Sequence, residues 1–434
     1  MEVLVMGIFC LILLGSIALQ VPIVMALLIG LALFFIYGLK KGFSLKALFH
    51  MSLSGIKTVK NILLTFVLIG ILTAMWRASG CIPTIVSYAS DLINPSIFIL
   101  LTFLLNAMLS ILTGTSFGTS ATMGVICVSI ARSMGLSVFW VGGAVLAGAY
   151  FGDRCSPVST SALLVATLTE TDIYANIKNM IKTAIIPFFI TCAIYGIVGM
   201  TMQAGQAGMN VEKLFGEAFQ INLLCLLPAI VVLLLALCRV KVKRLMFVSI
   251  VIAVVIAIFV QGMSVQEVIK ASIMGFSVSS EKLSGMINGG GIRSMLKVGA
   301  IVCIASSYAD IFKKTGLLSF MEKLIEKLNE KWGAFPIAFL VSCFTSMIAC
   351  NQTLAIMLTS QLCVPLYKDS ERRALDMEDT VVVIAPLIPW SIAGTVALAS
   401  AGAPSKCLIT SCFLYVLPLW RLISGSKLFK SRKK

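Results

Sequence analysis

Gly152-Asp153-Arg154-Cys155-Ser156-Pro157-Val158-Ser159-Thr160-Ser161 is the stretch on which the reading of this chain turns. The apolar run Val138 to Phe151 leads into it, and Ala162 to Leu168 leads out. A carboxylate, a guanidinium, hydroxyls, a glycine and a proline thus interrupt what otherwise reads as one membrane-crossing helix. A charge at membrane depth costs about 2.5–3.5 kcal/mol on insertion scales, so such groups face a partner, a cavity or an ion path. Pro157 has no N–H and breaks the helix, which frees carbonyl groups that can hold a cation. An Asp–Arg loop at the membrane surface would account for the charges, but not for hydroxyls and helix breakers gathered at the same place.

The rest of the composition agrees. Of 434 residues, 59% are hydrophobic and only 12% charged, against about 25% charged in soluble domains. The net charge of +16 does not point to nucleic acid, because the basic residues sit in short clusters between apolar runs, as membrane topology requires. Met1 to Leu19 has neither a basic leader nor a small-residue cleavage site and reads as a retained first helix. Thirteen cysteines and a single histidine, His50, form no CxxC or Cys/His pair. Buried inert thiols are expected, with no disulfide framework, resident metal or cofactor.

Outward from the motif, the apolar runs are Val3–Leu19, Ile23–Tyr37, Asn61–Ser79, Pro95–Leu112, Ala121–Ala131, Val138–Phe151 and Ile181–Met202. Leu39–Lys60 carries five lysines on an amphipathic background and reads as a helix lying at the interface. The second half replays the first. Gly80 matches Gly316, and Phe103-Leu104-Leu105 matches Phe339-Leu340-Val341, both at an offset of 236 (316 − 80 and 339 − 103). That register sets Ala349-Cys350-Asn351-Gln352-Thr353 on Thr113-Gly114-Thr115-Ser116-Phe117. With a small deletion, it sets Glu378-Asp379 on Gly152-Asp153. Internal duplication is a mark of secondary transporters.

Charge separates a parallel from an inverted repeat. Lys40–Lys60 is basic while its counterpart, Gln261–Arg293, is nearly balanced. Gln20–Pro22 is uncharged while its counterpart, Arg239–Arg244, is dense in charge. Each pair is asymmetric in the opposite sense, as inversion demands. Pro95–Ala131 and Ala334–Leu366 each read either as one crossing or as a re-entrant hairpin, and keeping the basic segments on one side favours the hairpin. The expected fold is an all-α polytopic membrane protein of two inverted repeats, 1–203 and 222–434, joined by a polar connector at 204–221. Each repeat has about five crossings, a hairpin and a broken helix, roughly ten crossings in all at about 20 residues each. Both termini fall on the cytoplasmic side of a cell membrane of the bacterial inner-membrane type. A homodimer is among the assemblies open to such a chain.

Under inverted symmetry the hairpin tips and the helix breaks converge near the midplane. Hydroxyl, amide and carboxylate oxygens suit hard cations such as Na⁺. The expected ion- or substrate-binding residues are Asp153, Ser156, Ser159 and Thr160 at the first break, Thr115 and Ser116 at the first tip, Asn351, Gln352 and Thr353 at the second tip, and Asp379 as the repeat partner of Asp153. Asp153 is the leading ion-coupling group, with Na⁺ as its metal. Glu322, Glu326 and Glu330 alternate with Lys323, Lys327 and Lys331 and read as a solvated helix face.

The same residues carry a family resemblance. Thr113-Gly114-Thr115-Ser116-Phe117-Gly118-Thr119 resembles the GTSxGT motif of NhaC-type Na⁺/H⁺ antiporters, within the wider ion-transporter superfamily. Phe151–Ser159 resembles that family's FGDxxSPxS motif. Glu378-Asp379-Thr380 with Pro386-Leu387-Ile388-Pro389-Trp390 resembles its acidic pair followed by PLxPW. Four motifs occur in order over most of the chain, counting the polar tip at Asn351-Gln352-Thr353-Leu354. Thr160 stands where many members carry an aspartate. The resemblance implies paired hairpins, broken helices and exchange of Na⁺ for H⁺. Relatives also exchange organic acids, so a small cation and a small organic substrate are both open, and Arg154 favours an anion if it faces a cavity. A membrane-embedded enzyme is disfavoured: there is no H-E-x-x-H, no Ser–Lys pair at helical spacing in a span, and His50 stands alone.

Overall fold

In the computed structural model the apolar runs become helices packed side by side. The structure describes residues 1–19, 21–92, 94–202, 215–238, 240–278, 287–317, 325 and 332–424. Most of the connector, the Glu/Lys run at 322–331 and the last ten residues lie outside that set. Among the described residues every element is helical except a single bridge between Phe276 and Gly289.

Among the described residues, seven helical stretches are long and apolar enough to cross a membrane: Ile23–Lys40, Lys60–Ala78, Pro95–Thr113, Ile173–Thr201, Val242–Phe259, Gly291–Phe312 and Ser405–Ser424. The pair Ser370–Leu387 and Ile392–Ala401, bent by 59°, makes an eighth when taken as one broken span. Seven or eight is fewer than the roughly ten crossings expected. Glu2–Ser16, Leu223–Leu237 and Thr160–Thr169 are apolar but shorter than the roughly 17–25 residues of a span. The outward faces suit lipid: Ile185, Ile186 and Phe189 on one helix, and Phe247, Val251 and Phe259 on another, are exposed, as no water-soluble fold of this size would leave them. The chain is a multi-pass membrane protein.

Local signals account for the element ends. Asn94 accepts a hydrogen bond from Ser96 N, and Pro95 opens the helix behind it. Leu45–Thr58, the core of the lysine-bearing segment, is capped by Ser44. At Val265–Met274, Ser264 and Glu267 form a reciprocal cap. The Ser264 backbone N–H, then its hydroxyl, hold the Glu267 carboxyl below the usual range.

Twice the chain turns back on itself. Pro95–Thr113 ends at Gly114 with φ 62°, Thr115 caps the next turn, and Val125–Ser133 runs back. Asn106 Nδ2 lies 3.7 Å from Cys127 Sγ, and the Thr113 and Thr119 hydroxyls are 3.2 Å apart, tying the legs together. Ala334–Ala349 likewise ends at Cys350 with φ 56°, Asn351 caps Gln352–Cys363, and the Thr345 and Thr359 hydroxyls meet at 2.6 Å. The two left-handed residues are 350 − 114 = 236 apart, and so are the two caps (351 − 115), the offset seen in the sequence.

Candidate ion-binding site

Val138–Arg154 lies against Pro95–Thr113 because glycines open its face. A Cβ on Gly148 would come within 2.4 Å of Phe103 O, and one on Gly152 within 2.5 Å of Ala107 O. Only hydrogen fits there, and this close approach carries the last turn of the helix into the centre of the bundle. The helix stops at Arg154, and Ser159 caps the next one, Thr160–Thr169. Ser156 Oγ donates to Ile111 O at 2.7 Å, fastening the break to the first hairpin. A Cβ on Gly114 would meet Val158 C at 2.7 Å, so the hairpin tip and the break touch.

The second break repeats this arrangement. Ile388–Ser391 separates the 3₁₀ turn Ala385–Leu387 from Ile392–Ala401, which Ser391 caps. Ile392 N donates to Cys350 O at 2.8 Å, and Trp390 Nε1 to Met347 O at 2.7 Å, joining this break to the second hairpin. The broken helices then cross. Tyr150 OH donates to Ala393 O at 2.9 Å, and Arg154 Nε to Glu378 O at 3.2 Å. Thr160–Thr169 packs on the second hairpin and Ile392–Ala401 on the first. All four breaks therefore meet in one region.

Four buried carboxyl side chains gather there: Asp153, Asp376, Glu378 and Asp379. Two buried guanidinium groups face them. Arg154 pairs with Asp379 Oδ1 and also bonds Thr183 Oγ1 and Met180 O, each at 3.1 Å. Arg421, from the last helix, reaches Asp376 Oδ1 at 2.5 Å and Asp379 Oδ2 at 2.7 Å, with its cationic head over the Phe335 ring. Tyr367 OH adds a hydrogen bond to Asp376 at 3.0 Å. Asp376 and Asp379 are thereby neutralised.

Asp153 and Glu378 are not paired in this way. Among the described residues Asp153 is held by hydroxyls alone: Ser159 Oγ donates to Oδ1 at 2.8 Å and Ser161 Oγ to Oδ2 at 3.2 Å. Glu378 is 0% exposed, and neither carboxyl oxygen has a hydrogen-bond partner among the described residues. An unpaired buried carboxylate costs several kcal/mol, so this region has room for added positive charge.

The other expected site residues are distributed as follows. Ser159 touches Asp153, and Ser156 holds the break. Ser116 is buried beside the Tyr150 hydroxyl. Thr115 and Asn351 act as half-buried helix caps, and Gln352 Nε2 donates to Val382 O at 2.9 Å. Thr160 and Thr353 are exposed, and the second hydroxyl on Asp153 comes from Ser161. Asp379 lies on the arginine pair. The caps also change its relation to Asp153: Ser159 and Ser391 are 391 − 159 = 232 apart, which sets Asp153 opposite Ala385. Ser161, Thr183, Glu378 and Arg421 join the site without being among the residues the sequence points to. The acidic pair was the only signal that pointed to Glu378.

Helices that cross a membrane and bring unpaired carboxyls to hydroxyl-bearing breaks define a secondary transporter. The chain belongs to the Na⁺/H⁺ antiporter family, whose model matches residues 1–170 and 148–419. It is 31% identical to the Na⁺/H⁺ antiporter NhaC of Bacillus subtilis over 88% of each chain. It is 28% identical to the malate-2H⁺/Na⁺-lactate antiporter of the same organism, over 90% of this chain and 86% of that one. It is also 25% identical to the arginine/ornithine antiporter ArcD of Halobacterium salinarum, over 82% and 77%.

Proposed function

We propose that this protein exchanges Na⁺ for protons by alternating access, with Asp153 as the group for which the two ions compete. The observation that carries the reading is the uneven charge in the central cluster. Two guanidinium groups serve Asp379 and Asp376, while Asp153 keeps only hydroxyl partners. A carboxylate with hydroxyl oxygens is a hard-cation donor set. Ser159 and Ser161 donate to a bare carboxylate, and by rotating their O–H groups they can present lone pairs to a cation. A proton on Asp153 removes its charge and its attraction for Na⁺, so each ion excludes the other.

The wider architecture follows the same reading. The repeats at 1–203 and 222–434 are inverted about the 204–221 connector, with roughly ten crossings, and both turn-backs are re-entrant hairpins ending near the midplane. Ser156, the Thr115/Ser116 tip and the Asn351/Gln352 tip frame the passage. The lysine-bearing ends and both termini are cytoplasmic.

Exchange of organic acids or amino acids is the second reading, supported by the names of two relatives. Its sequence argument rested on Arg154, which is fully buried and bonded to Asp379, Thr183 and Met180, so it offers no free fork to a substrate. Proteoliposomes carrying a pH gradient test the choice. Na⁺ should dissipate the gradient, and a panel of organic acids and amino acids without Na⁺ should not. Dissipation by an organic substrate with none by Na⁺, Li⁺ or K⁺ would reverse it.

A further inference from the structure

A second group of basic side chains lies at the end of Val138–Arg154 opposite Asp153. Arg77 ends Lys60–Ala78, Arg132 ends Val125–Ser133, and Gly402 follows Ile392–Ala401. Gly402 has φ 76°, so glycine is favoured there. A Cβ built on it would lie 3.8 Å from Arg77 Nη2 and 3.9 Å from both terminal nitrogens of Arg132. Two guanidinium groups thus crowd one point.

Neither guanidinium has a carboxylate partner among the described residues. Arg77 is 5% exposed; its Nη1 donates to Thr73 O at 2.6 Å, and its Nε has no partner. Arg132 Nη2 donates to Gly402 O at 2.5 Å. A guanidinium has five N–H donors, so most of this capacity is unused, and the two like charges repel each other. Arg132 borders an open surface pocket of about 610 Å³, lined also by Ser137, Phe139, Gly402 and Lys406 among others, with Arg77 outside the lining. The Lys406 ammonium lies 5.9 Å from the centre of the Phe139 ring and brings a third positive charge to the rim.

We propose that this vestibule is a binding site for a small carboxylate anion, gripped by Arg132 and Lys406 with Arg77 behind them. A guanidinium fork matches the two oxygens of a carboxylate, and Phe139 and Val138 offer an apolar wall to a short carbon body. The site stands at the end of Lys60–Ala78 opposite Lys60, about 26 Å away by helix rise, and so on the face away from the lysine clusters. The assignment goes beyond cation exchange and does not depend on it.

The test is calorimetric titration of the full-length protein in nanodiscs of zwitterionic lipid with malate, lactate and inorganic phosphate. Malate should bind. Lys406→Gln, at an exposed position, and Arg132→Gln should each weaken it roughly 10- to 100-fold, the range of a lost charge-assisted hydrogen bond. Lys406→Gln should still exchange Na⁺ for protons, which separates this site from Asp153. Absence of malate and lactate binding, or equal affinity in wild type and Lys406→Gln, overturns the proposal. Binding of phosphate alone, or stabilisation only by nanodiscs containing an anionic phospholipid, also overturns it and assigns the site to a phosphate or a lipid headgroup.

Discussion

Arg154 and Asp379, 225 positions apart in the chain, form an ion pair that is wholly buried on both sides. It joins the end of Val138–Arg154 to the end of Ser370–Glu378. Arg421 holds the opposite oxygen of the same carboxylate. Asp379→Asn would take the counter-charge from Arg154 and one of the carboxylate partners from Arg421. Breaking a buried pair from one side costs on the order of 3–5 kcal/mol. A marked fall in the melting temperature of the purified variant is expected, larger than for Asp153→Asn. An unchanged melting temperature would show that the pair does not hold the two halves together.

Glu378→Gln keeps the shape of the side chain and breaks no hydrogen bond of its carboxyl among the described residues. Removing a buried group that is able to carry an unpaired charge should cost less than about 1 kcal/mol or stabilise the fold. Thermal unfolding in detergent, run beside Asp379→Asn, gives the comparison. A loss as large as that of Asp379→Asn would mean that Glu378 has a strong partner.

Ser161 and Thr160 are neighbours with opposite roles. Ser161 Oγ bonds Asp153, while Thr160 is exposed. Ser161→Ala should raise the Na⁺ concentration for half-maximal exchange several-fold, by roughly the 0.5–1.5 kcal/mol of one hydrogen bond, and Thr160→Val should leave it unchanged. Equal effects would remove Ser161 from the ion site.

On the proposed topology the lysine-bearing ends lie inside the cell. Lys241 is exposed beside the start of Val242–Phe259. In a cysteine-depleted background, Lys241→Cys should resist an impermeant thiol reagent added to intact cells and react after the membrane is opened. Labelling from outside would refute the arrangement.

Much of the architecture was legible because it rests on local chemistry. The span expected at Asn61–Ser79 is Lys60–Ala78. The 236-residue offset read from glycines and aromatics reappears in the left-handed turns at Gly114 and Cys350 and the caps at Thr115 and Asn351. Asp153 and Ser159 lie six positions apart across a visible break, and they bond. What was hidden depends on rotation and distance. Whether Thr160 or Ser161 turns to the acid depends on how the helix leaves its cap. Arg421 enters from the final helix, 45 positions after Asp376, where nothing local marks it as a partner. The full count of crossings was equally obscure, because breaks shorten the helices below a span's length.

The most direct measurement is Na⁺-dependent proton exchange by Asp153→Asn in proteoliposomes, with thermal stability taken on the same purified protein. Asn keeps the size and a hydrogen-bond acceptor but neither charges nor titrates. The expected result is a folded protein, with a melting temperature close to wild type because Asp153 has hydroxyl partners and no arginine to strand, and with Na⁺/H⁺ exchange abolished. Normal exchange in a stable Asp153→Asn protein would contradict the central claim and remove Asp153 from the mechanism.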